Sequence, residues 1–413
     1  MPAFQRVVPA LIALAAGLQP VAAGAQGAGH GAWGRLGALR SPLGQLSQGL
    51  SVSLTQGARY DSNIVRTAND TETFALYGRT QSADWVSQTG ANISYNLEGA
   101  RSNVTFSGDV SYAKYFEYDE FSGWVASGGG AWSWNFTHRC TSTVDARAVR
   151  SLANFADISS SQNTFQTGLD GGVDVSCFIL ERLRVNAGVF ASEVRNDKSA
   201  FKINNLRSTG YDASLAVVTR QKNEVGFHYR ASKTERPNAP LVDDFKYEQF
   251  DAYGLLHMGN RFRLFASGGV QKSERENSSD EFSTGTGIVG LDWFPSARLS
   301  AHIGYDRSIQ DATDLVGTSR RTDRVAGDIG WAFPNRIQAG GYASYTESTL
   351  DSGLAGPLTG VKEKDQAVGG YLRHNLFQLV RVEWNAGWSR RESDIALREY
   401  DSVTAGVSIG IAI

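Results

Sequence analysis

The sequence predicts an all-β chain: a transmembrane, antiparallel, up-and-down β-barrel of about eighteen strands, sixteen being the alternative, with both ends in the periplasm. Three observations carry that prediction. Apolar and polar side chains alternate with a two-residue period along most of the 413 residues. Long polar connections take turns with tight ones. The chain opens on an export signal, and no later stretch holds some twenty apolar residues.

Composition agrees with the alternation. Mean hydropathy is -0.28 although 41% of residues are hydrophobic. Glycine is abundant (45) and proline scarce (9), and aromatics reach 11%. Small residues suit crowded, twisted strands, and rings suit membrane interfaces. A net charge of -2 gives no reason to expect nucleic acid as a partner.

Arg6, the apolar run Val7 to Ala23 and the small residues of Val21-Ala22-Ala23 or Ala23-Gly24-Ala25 read as a cleaved signal over 1–25. A retained anchor is the alternative; Pro9, Pro20 and the modest length argue against it. Residues 26–48 read as a flexible periplasmic lead-in, and 49–413 as the barrel. Export without a spanning helix leaves the periplasm, the exterior or the outer membrane, and the barrel pattern points to the outer membrane of a Gram-negative cell.

The alternation is plain in Val104, Phe106, Gly108, Val110 and Tyr112, separated by Asn103, Thr105, Ser107, Asp109 and Ser111. It recurs in Leu183 to Val189, Val225 to Tyr229, Leu299 to Tyr305, Val325 to Phe333 and Val403 to Ile413. Segments of roughly 10–14 residues match tilted membrane strands. The strands of a soluble sandwich run only about five or six. Long connections fall at Asp61 to Ala83, 157–161, Arg195 to Arg207, Arg236 to Asp244, Glu274 to Glu281, Gln310 to Thr322 and Ser348 to Lys362. Tight ones fall at Glu98 to Arg101, Gln221 to Asn223, Gly259 to Arg261, Pro295 to Ala297 and Pro334 to Arg336. Aromatics gather near segment ends, as at Trp132, Trp134 and Phe136. The chain ends in Ile413, whereas many such barrels end in an aromatic residue.

No catalytic, cofactor-binding or metal-binding set is expected, and the chain is not read as an enzyme. Six histidines are present, none in a metal-spaced pair or beside a recognisable serine motif. His228 and His302 fall on polar faces and read as ordinary lumen residues. Gly128-Gly129-Gly130 sits in a strand pattern and reads as close packing or a bend.

The polar parity assigns Asp109, Asp145, Arg147, Asp170, Asp174, Arg184, Arg230, Arg263, Arg298, Arg324, Asp328, Arg381 and Glu383 to the lumen, with Asp212, Glu224 and Asp306 beside them. Such groups either contact a solute or solvate the channel and pair across strands. Charges of both signs predict a hydrated channel rather than a ring of one sign. The first long connection, with Arg66, Asp70, Tyr77 and Arg79, folds inward as a constriction or stays a solvated surface loop. Cys140 and Cys177 fall at the periplasmic ends of neighbouring segments, where a disulfide or two separate thiols would stand.

The first segment runs into Arg59-Tyr60-Asp61-Ser62-Asn63-Ile64. Tyr60-Asp61-Ser62-Asn63 resembles the opening of the EpsL-type outer-membrane β-barrels, the type 2 β-barrel porins encoded with exopolysaccharide operons. The likeness extends loosely from Gly49 to Ile413 through strand spacing and length. It implies a pore for export of an exopolysaccharide, with the glycan chain as cargo and periplasmic export components as partners. Two other readings stay open: an uptake porin for small solutes, and an adhesin-like barrel that transports nothing. Outer-membrane lipids and lipopolysaccharide would surround any of the three.

Overall fold

The computed structural model describes residues 49–152, 164–239, 244–276, 281–311, 319–351, 360–377, 379–395 and 398–412. The expected signal (1–25), the lead-in (26–48), the connection at 157–161 and Ile413 lie outside the described residues. The strands are β1 (Gly49–Asp61), β2 (Asp84–Glu98), β3 (Ser102–Tyr115), β4 (Gly123–Asn135), β5 (Cys140–Leu152) and β6 (Phe165–Phe178). Then come β7 (Leu183–Asn196), β8 (Leu206–Val218), β9 (Glu224–Glu235), β10 (Phe245–Met258), β11 (Phe262–Arg275) and β12 (Glu281–Ser296). The last six are β13 (Leu299–Asp311), β14 (Ser319–Ala332), β15 (Ile337–Asp351), β16 (Lys362–Asn375), β17 (Val380–Ser393) and β18 (Tyr400–Ala412). Among the described residues one α-helix, α1 (Asp70–Tyr77), lies in the first connection.

Each strand pairs antiparallel with its sequence neighbours, and β1 also pairs with β18, from Ser53↔Ala412 to Asp61↔Thr404. The result is a closed 18-stranded sheet, as the alternation predicts. Closure leaves no edge, so every strand finds partners for its N–H and C=O groups on both sides. No helix among the described residues is long and apolar enough to cross a membrane; the chain crosses with strands.

The registers sort side chains into two sets. Leu54, Trp132, Val189, Phe227, Val270, Ile303, Ile329 and Ile411 are exposed on the outer surface. Their neighbours along each strand face the interior. Rings mark the edges of the apolar band. Tyr60 meets Trp85 at 5.3 Å near the outer end, and Trp331 meets Phe333 at 5.2 Å near the periplasmic end. A 14-residue strand such as β7, at about 3.3 Å per residue and tilted about 40°, outreaches an apolar band about 25 Å tall. The outer ends of the strands therefore stand above the hydrocarbon. There the outward positions become charged, with Arg195 on Glu193 (2.6 Å), Arg307 on Asp323 (2.6 Å) and Arg390 on Glu392 (3.1 Å).

The periplasmic turns are tight because single residues accept a left-handed backbone: Lys222 (φ 62°), Gly259 (φ 63°) and Arg336 (φ 61°). Pro295, which has no N–H to give a ladder, coincides with a register shift between Trp293 and Ser296. Inside, Tyr371 leans over Gly340, where an added Cβ would come within 2.5 Å of the ring.

Cys140 and Cys177 stand opposite each other at the periplasmic ends of β5 and β6 and form a disulfide. The bridge closes a segment of 37 residues that includes the loop between the two strands. The Cys140→Ser/Cys177→Ser double variant should still form the barrel but lose about 2–4 kcal/mol. Urea unfolding in lipid vesicles checks this: the midpoint should fall, and the slope should rise as the unfolded chain loses its cross-link and expands.

Candidate functional site

The interior of the barrel and its outer mouth form the candidate site. The mouth is organised where the sheet closes. Asp61 ends β1 pointing inward and is almost fully buried, 1% exposed. One of its oxygens accepts from the Ser402 hydroxyl of β18 (2.6 Å) and from the Asn63 N–H (3.0 Å). The Arg66 guanidinium grips both oxygens at 2.9 Å. Ser62 and Val403 exchange two bonds, at 2.9 and 2.8 Å. The Asn63 amide donates to the carbonyls of Asp401 (3.0 Å) and Thr67 (2.7 Å). Arg66 and Arg391 both lie over the Tyr400 ring, at 5.3 and 5.8 Å. The segment Asp61-Ser62-Asn63 is thus a clasp that locks the first connection onto the seam between β1 and β18.

From the clasp, residues 62–83 turn in against the wall. Ile64 and Val65 pack with Val86 of β2, with Ala113 and Tyr115 of β3, and with Tyr118 and Phe121 of the next loop. Val86, Ala113 and Tyr115 occupy inward positions, so this cluster sits on the luminal side of the mouth. α1 is held at its start by Asn69, whose side chain accepts from the Glu72 N–H, and is stopped at Gly78 in the left-handed region. Tyr77 contacts the cluster edge-on, 5.9 Å from Tyr118 and 6.0 Å from Phe121. Burial pushes the Tyr118 phenol up to about 12. It stays neutral and donates to the Gln81 carbonyl at 2.6 Å. The neighbouring loop is fixed by Asp84, whose carboxylate accepts from the backbone N–H groups of Phe116, Glu117 and Tyr118 at 3.0–3.2 Å.

Below the mouth the wall divides by charge into three arcs. Over β3 to β6 stand Asp109, Asp145, Asp170 and Asp174, with Arg147 the basic group among them. Over β7 to β13 the charges form matched sets. Glu224 takes Arg184 and the Tyr253 hydroxyl (2.7 Å). His228 lies between Asp251 (3.4 Å) and Asp212 (4.0 Å). Asp292 takes Arg263 and His302, each at 2.7 Å. Arg230 lies over the Phe190 ring at 4.1 Å. Over β14 to β1 arginine dominates. Arg373 binds Glu383 at 2.6 Å, Arg391 binds Asp365 at 2.6 Å, and Glu363 takes Arg398 (2.5 Å) and Arg320 (3.2 Å). Arg59 and Arg381 add two guanidiniums to this arc, and neither forms an ion pair among the described residues.

Asp109, Asp145, Arg147, Asp170, Asp174, Arg184, Arg230, Arg263, Arg324, Asp328, Arg381 and Glu383 all stand at inward register positions. Arg298 does not. It lies in the exposed periplasmic turn between β12 and β13, because the strand ends at Ser296 and the turn takes 297–298. Of the loop residues, Arg66 belongs to the clasp. Arg79 reaches the Glu117 carbonyl and Glu120 (3.1 Å) and lies over the Tyr118 ring at 4.5 Å. Asp70 is exposed at the start of α1. Sequence reasoning missed the buried sets Glu363–Arg398–Arg320, Arg373 and Asp365–Arg391. The strand positions among them follow the same parity; Arg398 comes from a loop and carries no periodic signal.

A lipid-facing apolar wall, a polar interior and complete closure make the chain a β-barrel of the cell outer membrane. No family model matches the chain, and no curated protein matches it. Among solved structures, Pseudomonas aeruginosa OpdK with vanillate has TM-score 0.47 and 12% identity, covering 88% of this chain and 99% of that one. Pseudomonas aeruginosa OccK2 (OpdF) in complex with glucuronate has TM-score 0.45 and 10% identity, covering 89% and 100%. The siderophore receptor PirA of Pseudomonas aeruginosa has TM-score 0.44 and 9% identity, covering 89% and 80%. The EpsL-type assignment finds no match among these comparisons.

Arg66→Ala should leave Asp61 buried without its counter-charge, at a cost of about 3 kcal/mol. The first connection should detach from the seam before the barrel unfolds. Hydrogen exchange at residues 62–80 should rise while the strands stay protected. Equal protection in variant and wild type would show that the clasp does not hold the loop.

Proposed function

We propose that the protein is a diffusion pore that admits small hydrophilic solutes across the outer membrane. One observation carries the reading: a polar, charged inner wall in a barrel of 18 strands, narrowed at one side of its mouth by a loop with its own packed core. Barrels of this strand number leave an aqueous channel. A loop pinned by Asp61, Asn63 and Tyr118 narrows the entrance without depending on a mobile plug. The separated acidic and arginine-rich arcs would orient a charged or dipolar solute as it passes.

Export of an exopolysaccharide, with periplasmic export components as partners, is the weaker reading. It rests on the Tyr60-Asp61-Ser62-Asn63 resemblance. Here Tyr60 packs on Trp85 outside, and Asp61, Ser62 and Asn63 serve the seam. Those contacts account for the motif without a cargo.

Purified protein in planar bilayers should give stable conductance steps, and vesicles containing it should swell in monosaccharides much faster than in oligosaccharides. Silence in both assays would favour a barrel that transports nothing. Swelling indifferent to chain length, together with loss of surface polymer on deleting the gene, would favour export. In the Arg59→Gln/Arg381→Gln double variant the reversal potential in a salt gradient should move toward cation selectivity. An unmoved potential would remove the arginine-rich arc from the solute path.

A further inference from the structure

The lipid-facing surface is not uniformly covered by large side chains. Across β4 to β7, two adjacent rows of outward positions are small. Gly130, Ala146, Gly171 and Ala191 form one row, and Gly128 and Ala148 begin the next. They line a hollow of about 780 Å³, with Phe106 at one side and Leu169, Glu193 and Arg207 at the other. The row below is bulky: Trp132, Val144, Val173 and Val189 are all prominent on the surface. The row above carries Arg150 and Arg195. The hollow is therefore closed toward the periplasm and capped with guanidiniums at the outer edge of the band.

We propose that this hollow seats an acyl chain of a phosphorylated glycolipid of the outer leaflet, with the phosphate held by Arg150, Arg195 and Arg207. Apolar contact alone cannot select an occupant, because any lipid tail is as apolar as the wall. Selection comes from the rim. Asp197 holds Arg150 (2.6 Å), Glu193 holds Arg195 (2.6 Å), and Glu235, opposite Arg207 in register, holds Lys233 (3.3 Å), which leaves the Arg207 guanidinium outside any ion pair among the described residues. Guanidinium matches phosphate in a planar, two-point contact, and it sits at headgroup depth. A second copy of the chain fits less well. A twofold contact through this face would set the same arginines against each other, and a convex barrel wall would leave the hollow empty.

The test uses the full chain in detergent, with native mass spectrometry after incubation with bisphosphorylated lipid A, dephosphorylated lipid A or phosphatidylethanolamine. Wild type should retain a single bisphosphorylated lipid A with about tenfold preference over the other two. Ala148→Phe, which fills the hollow from the lipid side, should abolish retention of all three. Arg207→Gln should level the preference while keeping the weaker binding. Heat-modifiable gel mobility confirms that each variant is folded, and Ala148→Phe should conduct as wild type, so failure here is separable from failure of the pore reading. Unchanged retention in Ala148→Phe would overturn the proposal. So would wild-type oligomers that Ala148→Phe disperses, since they would put a second copy on this face.

Discussion

Everything in this molecule depends on closing a sheet whose first and last strands are the most distant in sequence. In hydrocarbon an unpaired backbone group costs several kcal/mol, so a strand edge cannot be left open to lipid. β1 and β18 pair over a long separation; Asp61 and Ser402, hydrogen-bonded at the outer end of the seam, are 341 positions apart. The buried polar contacts of Asp61, Ser62 and Asn63 gather at this point. A buried carboxylate with three separate partners is favourable only in one arrangement, so it fixes register where a slip by one residue would turn every side chain to the wrong face.

The same logic governs the wall. A barrel one layer thick has little apolar core, and among the described residues the apolar cluster sits at the mouth, where two loops fold against Val86, Ala113 and Tyr115. Elsewhere the interior is ordered by charge pairs. Arg373 and Glu383 are only 3% and 4% exposed, so either alone would be an unanswered charge in a poorly hydrated place. These pairs hold neighbouring strands in register, and Arg59 and Arg381 stand on the same inner wall outside such pairs. The mouth loop and the wall are thus coupled: Arg66 and Arg391 share the Tyr400 ring, which joins the clasp to the arginine-rich arc.

On the outside, strand length sets the chemistry. Strands longer than the membrane is thick must show water-compatible faces at their outer ends, and the outward positions change from apolar to ionic there. The hollow beneath Arg150, Arg195 and Arg207 lies at that transition. Inner and outer surfaces therefore draw on one periodicity, read from opposite sides of the same strands.

Sequence alone indicated the class of fold and about eighteen strands, with sixteen as the alternative, and assigned most charges to one face, because a two-residue period projects directly onto the two faces of a sheet. It also placed Cys140 and Cys177 at the periplasmic ends of neighbouring segments, since one opens the fifth segment and the other closes the sixth. Arg298 was misplaced because periodicity does not mark the residue at which a strand gives way to a turn. Whether the first connection folds inward was undecided, since its aromatic and polar residues suit either setting; the packing of Ile64 and Val65 on the inner wall decided it. The closing contact between Asp61 and Ser402, the sorting of charges into arcs and the hollow on the lipid side belong to tertiary structure. Each depends on which strands become neighbours around the ring and on their relative shear, and a local pattern cannot encode either.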